Sequence, residues 1–242
     1  MNQRIPWPLV IGSLLPAMGW GCSRDPTSPE IDPFCSSQPA SAIVMFEDAN
    51  LEAEIRDALG LGSKGELICG LLETVTTLTA AHAGIASLAG IENLTRLTVL
   101  QIRGNSITDV SALRGLVGLT SLNLAANSIT DISALSGLRS LTFLAINENG
   151  NITDISALSE LTNLTGLNAW NNSITDLSVL RGLTNLAVLT PHTNPDLSDI
   201  QPLLDNPRLG AGDDVLLRST NVSCADVDAL RAKGVGVVSE CP

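Results

Sequence analysis

Five consecutive segments of the chain share one order of apolar and polar positions. They read LTVLQIRGNSITDVSALRGLVG from Leu97, LTSLNLAANSITDISALSGLRS from Leu119, LTFLAINENGNITDISALSELTN from Leu141, LTGLNAWNNSITDLSVLRGLTN from Leu164 and LAVLTPHTNPDLSDIQPLLDNPR from Leu186. An earlier copy, VTTLTAAHAGIASLAGIENLTR, starts at Val75. The period is 22 residues, with one extra residue in the segments from Leu141 and Leu186, and the shared frame is LxxLxLxxNxITDxSxLxxLxx. Within LxxLxLxxN, period-two alternation sends Leu100 and Ile102, Leu122 and Leu124, and Leu144 and Ile146 to one side and their neighbours to the other, as in a strand. One unit cannot bury its own apolar side, so the units stack. The pattern predicts an α/β solenoid: a right-handed coil with a parallel sheet on its concave side, about seven strands and about 30 Å long at 4.7–4.9 Å per strand.

Two polar rows run through the frame. Asn105, Asn127, Asn149, Asn172 and Asn194 stand where the chain leaves each strand. A side-chain amide both donates and accepts, so this row is read as a structural ladder satisfying backbone groups of adjacent coils. Asp109, Asp131, Asp154, Asp176 and Asp199 precede short Ser-x-Leu segments, where Asp caps a helical turn. Calcium is the rival reading of that row. It is weak, because each Asp stands a full layer from the next with no further oxygen ligands beside it. No metal and no cofactor is expected.

These repeats resemble the leucine-rich repeat, in particular the 22-residue class of bacterial internalin-like surface proteins. The resemblance runs over about residues 42–242, caps included. It implies a solenoid closed by a helical N-terminal cap and a C-terminal cap, and a non-enzymatic role in adhesion or protein binding. The stretch FEDANLEAEIRDALGLGSKGELICGLLETV resembles such an N-terminal cap, with Asn50 placed to cap a helix whose Leu51, Ile55, Ala58 and Leu59 share one face. At the other end a last strand is expected around Val215–Arg218, followed by a helix from a Ser223 cap through Ala232, stopped by Gly234, and then Val235–Val238.

Residues 1–21 read as an export signal, with Arg4 before an uncharged stretch broken by Pro6, Pro8 and Pro16. The end of that stretch, Gly19-Trp20-Gly21-Cys22, resembles a bacterial lipoprotein signal, which implies acylation of Cys22; ordinary secretion is the alternative. Residues 22–41 form a Pro/Ser-rich tether, 42–74 the N-terminal cap, 75–208 the repeats and 209–242 the C-terminal repeat and cap. With Cys22 lipidated, four cysteines remain, and the simplest pairing is Cys35 with Cys69 and Cys224 with Cys241, although three connectivities are open. Disulfides place the chain outside the cytoplasm, at the cell envelope. A zinc site fits the wide spacings poorly.

Composition narrows the function. A net charge of −12 argues against nucleic acid as a partner, and 44% hydrophobic residues supply a core. Aromatic residues are only 2%, so each one left on a surface stands out. By register, the outward side chains fall in three columns. The third runs Ala81, Arg103, Ala125, Asn147, Trp170 and His192, extended by Arg218, and Phe143 lies in the same strand as Asn147. Arg103, Phe143, Asn147, Trp170 and His192 are the candidate contacts for a protein or glycan, since Trp and Arg are enriched at interface anchors. The bland alternative has Trp170 lying over the small Ala169. His192 has no candidate nucleophile in its strand, so catalysis is not expected. Pro191 cannot donate a ladder bond, which predicts an interrupted sheet and an irregular His192–Pro195 stretch. A monomer is expected, touching membrane only through its lipid. The competing reading is a structural or accessory envelope lipoprotein with no ligand on the concave face.

Overall fold

The computed structural model describes residues 35–242 apart from Lys64; the export signal, Cys22 and most of the tether lie outside the described residues. Strands β1 (Thr77–Thr79), β2 (Val99–Gln101), β3 (Ser121–Asn123), β4 (Phe143–Ala145), β5 (Gly166–Asn168), β6 (Val188–Thr190), β7 (Asp214–Leu216) and β8 (Gly236–Val238) form one sheet in chain order. Every neighbouring pair is parallel, and Leu78, Leu100, Leu122, Leu144, Leu167, Leu189, Val215 and Val237 align in a single row. The sheet therefore has eight strands rather than seven. The Val235–Val238 segment does not trail away from the C-terminal helix but pairs with β7, which gives the last full coil an apolar neighbour.

The inward Leu and Ile of the frame are buried without exception, from Leu78 to Leu217. Opposite the sheet, each coil closes with a short 3-10 turn: Ile91–Asn93, Ser111–Leu113, Ser133–Gly137, Ser156–Leu158 and Ser178–Gly182. The sixth coil uses helix α3 (Gln201–Asp205) and the seventh helix α4 (Cys224–Ala232). Asp109, Asp131, Asp154, Asp176 and Asp199 each accept the backbone N–H two residues on, at 2.7–2.8 Å. The backbone N–H of Ser133 and that of Ser156, each with its hydroxyl, hold the Asp131 and Asp154 carboxyls below their ordinary range. These carboxylates are thus engaged as turn caps.

The N-terminal cap packs helix α1 (Ala49–Ala58) against β1 and includes the short helix α2 (Cys69–Leu72). The capping residue of α1 is Asp48, not Asn50. One carboxylate oxygen accepts from the Asn50 and Leu51 N–H groups, and the other from Ala86 and Ser87 in the first coil. Burial alone would raise the Asp48 pKa, but these four donors outweigh it and hold it below the ordinary value. Asn50 instead donates to the Gly84 carbonyl. Leu51 and Ile55 are buried and Leu59 partly so, whereas Ala58 is exposed and leaves the expected face. Phe46 lies over Gly90, whose φ of 104° and lack of Cβ leave room for the ring.

At the other end Ser223 caps α4, accepting the Asp226 N–H at 3.1 Å, and Gly234 (φ 90°) ends it. Lys233 donates to the carbonyls of Leu203, Leu204 and Asn206 and so closes the C-terminus of α3. Cys35 is bonded to Cys69, and Cys224 to Cys241.

The asparagine row ties the coils together. Asn127 shows the pattern. Its Nδ2 donates to Ile102 in the previous coil and to Leu124 and Ala125 in its own, while its Oδ1 accepts the Ile107 N–H. Asn105, Asn149 and Asn194 make the equivalent bonds to Ile85, Ile129 and Ile174. In the C-terminal coil the Thr220 hydroxyl takes over part of the role, donating to Leu217. Asn172 is the exception. Its Nδ2 is bonded, but its buried Oδ1 has no partner. The preceding coil carries the extra residue, at Gly150–Asn151, and although the Ser173 N–H still reaches the Ile152 carbonyl, the expected donor, Ile152 N–H, makes no bond to Asn172. An unmet buried acceptor costs about 1–3 kcal/mol. Deleting Gly150 restores the 22-residue frame, and we expect it to stabilise the protein by about 1 kcal/mol, read as a higher denaturant midpoint with unchanged slope. An unchanged or lower midpoint would remove this explanation of the orphaned oxygen.

Candidate functional site

The outward side chains of the sheet form the columns that the register requires. In the third column, backbone bonds connect Arg103 to Ala125, Ala125 to Asn147, Asn147 to Trp170, Trp170 to His192 and His192 to Arg218 through the residue that follows each. That following residue has left-handed backbone in every coil: His82, Gly104, Ala126, Glu148, Asn171, Thr193 and Ser219 have φ between 53° and 73°. Gly104 is the one glycine in this row, and a Cβ there would collide with the ring of His82.

The sequence candidates do not behave alike. Asn147 is 6% exposed; it is a support rather than a contact, and its Nδ2 donates to Glu148 Oε2 at 3.2 Å. Arg103 pairs with Glu148 at 3.3 Å across the intervening coil, whose outward Ala125 is almost fully buried. With side chains half and a quarter exposed to water, such a pair is worth at most about 1 kcal/mol. Its effect is to neutralise this end of the column. Phe143 lies over Gly166, whose missing Cβ makes space for the ring. The N-terminal half of the face is therefore filled by its own side chains.

The C-terminal half is built differently. The rings of Trp170 and His192 stack with centroids 5.4 Å apart and planes 13° from parallel, and both residues are half-buried. Trp170 thus leans on its neighbour in the next coil; Ala169 faces the core and is buried. Elsewhere on the same sheet, Val188, four residues before His192, and Val238, on β8, are exposed at 44% and 40%. Arg218 follows His192 in the column, is exposed, and forms no ion pair among the described residues. Burial, and then the Arg218 guanidinium, push the His192 pKa below the ordinary histidine value, and its Nδ1 is buried without a partner. The ring is accordingly neutral at pH 7.

Pro191 has a smaller effect than its chemistry suggests. The β6–β7 pairing is shortened to two residue pairs, yet the ladder resumes at the Thr193 N–H to the Arg218 carbonyl, and Asn194 accepts and donates as elsewhere. The His192–Pro195 stretch keeps the course of the other coils. The loss of one donor is local because the asparagine amide fixes the turn that follows.

Among the described residues, no three His, Cys, Asp or Glu side chains gather where they would hold a metal ion, and no helix is long and apolar enough to cross a membrane. The leucine rich repeat family matches residues 95–150. An internalin (inlF) of Listeria monocytogenes superposes with a TM-score of 0.73 at 36% identity, over 80% of this chain and 56% of that one. An internalin C2 (inlC2) of the same organism superposes with a TM-score of 0.63 at 31% identity, over 80% of this chain and 94% of that one. This chain belongs to the internalin family of leucine-rich-repeat proteins. Comparison with curated protein sequences finds no match.

Two features of this internalin were legible in its sequence and were passed over. The Leu-Thr pair that opens successive strands spells a threonine row. Thr98, Thr120, Thr142 and Thr165 each donate a hydroxyl to the carbonyl of the threonine one coil earlier, at 3.0–3.1 Å. The 45-residue separation of Arg103 and Glu148, about two periods, announces their pairing.

For His192, the neutral form is the one that folding favours. Stability from this group is complete above the ordinary histidine range and is lost as pH falls through it, because the unfolded chain takes up the proton first. Replacing Arg218 by Gln removes the cationic repulsion, and we expect the His192 pKa to rise toward the ordinary value, followed by NMR of the ring carbon protons. An unmoved titration would show that burial alone sets it.

Proposed function

We infer that this chain is a non-enzymatic recognition module, exported and held at the cell envelope, that binds a protein partner through its concave sheet. The observation that carries the reading is the half-buried Trp170–His192 stack on rigid strands, with the exposed Arg218, in no ion pair among the described residues, next in the same column. Ring and guanidinium groups in one column are the composition of interface anchors, and the exposed Val188 and Val238 elsewhere on the same sheet favour a protein over a glycan. Stacked coils give up little conformational freedom on binding, so more of the contact energy appears as affinity. Of the candidate contacts, Trp170 and His192 take the central place. Phe143 and Arg103 extend the site toward the N-terminal coils, and Asn147 acts through Glu148. The body responsible comprises the cap at 42–74, the repeats at 75–208 and the closing coil at 209–242, working as a monomer. No catalytic group, metal or cofactor belongs to this reading.

The envelope placement rests on the two disulfides, which persist in oxidising compartments, and on the Cys22 signal. Mass spectrometry of the mature N-terminus is expected to find Cys22 as the first residue, carrying lipid; an unmodified Cys22 or an uncleaved signal refutes the anchor. For the contact site, affinity capture from the envelope supplies the partner, and titration measures it. Trp170→Ala is expected to weaken that binding by about 30-fold or more, the equivalent of about 2 kcal/mol, with circular dichroism unchanged. Binding that survives the substitution intact removes the concave stack as the site.

A further inference from the structure

The two disulfides differ in their surroundings. Cys35 and Cys69 are 3% and 1% exposed, and the Cys35 backbone N–H is held by the buried Asn93 side chain at 2.8 Å. Cys224 is exposed and Cys241 half-buried. Cys224 is also the first residue of α4, where unbonded backbone N–H groups favour a thiolate. Opening the second bond does not open the core. Helix α4 keeps its buried Val227 and Leu230, its Ser223 cap and the Lys233 contacts to α3. The bond instead fixes the path of the residues after β8, closing a separation of 17 residues, while Arg231 holds the carbonyls of Cys241 and Pro242.

We propose that Cys224–Cys241 is a thiol–disulfide exchange site for a dithiol reductant of the oxidoreductase class, whereas Cys35–Cys69 is a permanent staple. The incoming thiolate attacks the exposed Cys224 Sγ. A new S–S bond forms there, and the electron pair of the old bond leaves with Cys241 Sγ, which takes a proton. The second thiolate of the reductant then attacks the reductant's own sulfur in the mixed disulfide and releases Cys224 as a thiolate at the start of α4. The protein gains two electrons and, with Cys224 left as the thiolate, one proton, and the dithiol becomes a disulfide. Reduced, β8 is held by its pairing with β7 and by the Leu217 N–H to Val238 carbonyl bond, without the covalent tie. Residues 236–242 loosen, and with them the Glu240 carboxylate that accepts the Ser219 N–H beside Arg218.

The full-length protein is treated under native conditions with dithiothreitol, sampled over time and blocked with N-ethylmaleimide, and the labelled cysteines are located by peptide mass mapping, which keeps Cys22 separate. Cys224 and Cys241 are expected to label about tenfold or more faster than Cys35 and Cys69, with circular dichroism unchanged. Equal rates, earlier opening of Cys35–Cys69, or no label at Cys224 and Cys241 before the fold is lost overturns the proposal. Glutathione, a monothiol, is expected to leave its adduct on Cys224; an adduct on Cys241 overturns the direction of attack. The Cys224→Ser/Cys241→Ser double variant is expected to fold, with faster amide hydrogen exchange confined to residues 236–242. Faster exchange throughout β1–β8 would make the bond a structural staple and overturn the assignment.

Discussion

Each coil leaves its strand through a left-handed residue and at once buries carbonyl and N–H groups that no strand neighbour reaches. From Asn105 to Asn194 one asparagine amide per coil meets them, complete but for the unmet oxygen of Asn172. Its two hydrogens go to carbonyls of its own and the previous coil, and its oxygen takes an N–H of the previous coil. Without a group that donates and accepts at once, those backbone groups would be buried unmet, at about 1–3 kcal/mol each. The apolar residues make stacking favourable, but they are mostly Leu, Ile and Val and would tolerate sliding. The amide sets the register, and the columns of the outer face follow from it.

The repeat made most of this readable in advance. The inward Leu and Ile, the Asn row and the Asp caps follow from period and polarity, and β1–β6 lie where alternation puts them. The departures have local causes. Asp48 displaced Asn50 as the α1 cap because a carboxylate serves the helix with one oxygen and the first coil with the other, a tertiary demand no helical pattern reveals. The eighth strand was hidden because Gly236–Val238 lacks the frame that follows a true repeat strand. Asn147 looked like a contact because register assigns direction, not exposure; neighbouring coils cover it. The stacking of Trp170 on His192 depends on rotamers, which spacing does not specify.

The outer face is divided by how its charges and rings are used. In the N-terminal half, Arg103 is spent on Glu148, and Phe143 is settled over Gly166. In the C-terminal half, Trp170 and His192 support each other while Arg218 forms no ion pair among the described residues and Val188 and Val238 stay exposed. Low aromatic content sharpens this division, since Phe46 and Phe143 are each settled over a glycine while Trp170 stacks on His192. The Asp row on the far side of the coil is committed to capping turns.

The two ends of the coil are closed unequally. At the first strand a ten-residue helix and the Asp48 carboxylate clamp the stack, whereas among the described residues no strand pairs with the outer edge of β8. Under tension along its axis, the molecule is therefore a zipper with one welded end. Force applied to both termini would peel it from β8 inward, one coil per step, with every step the rupture of one amide's bonds, and the aromatic ledge at the fifth and sixth coils would be among the first features to give way.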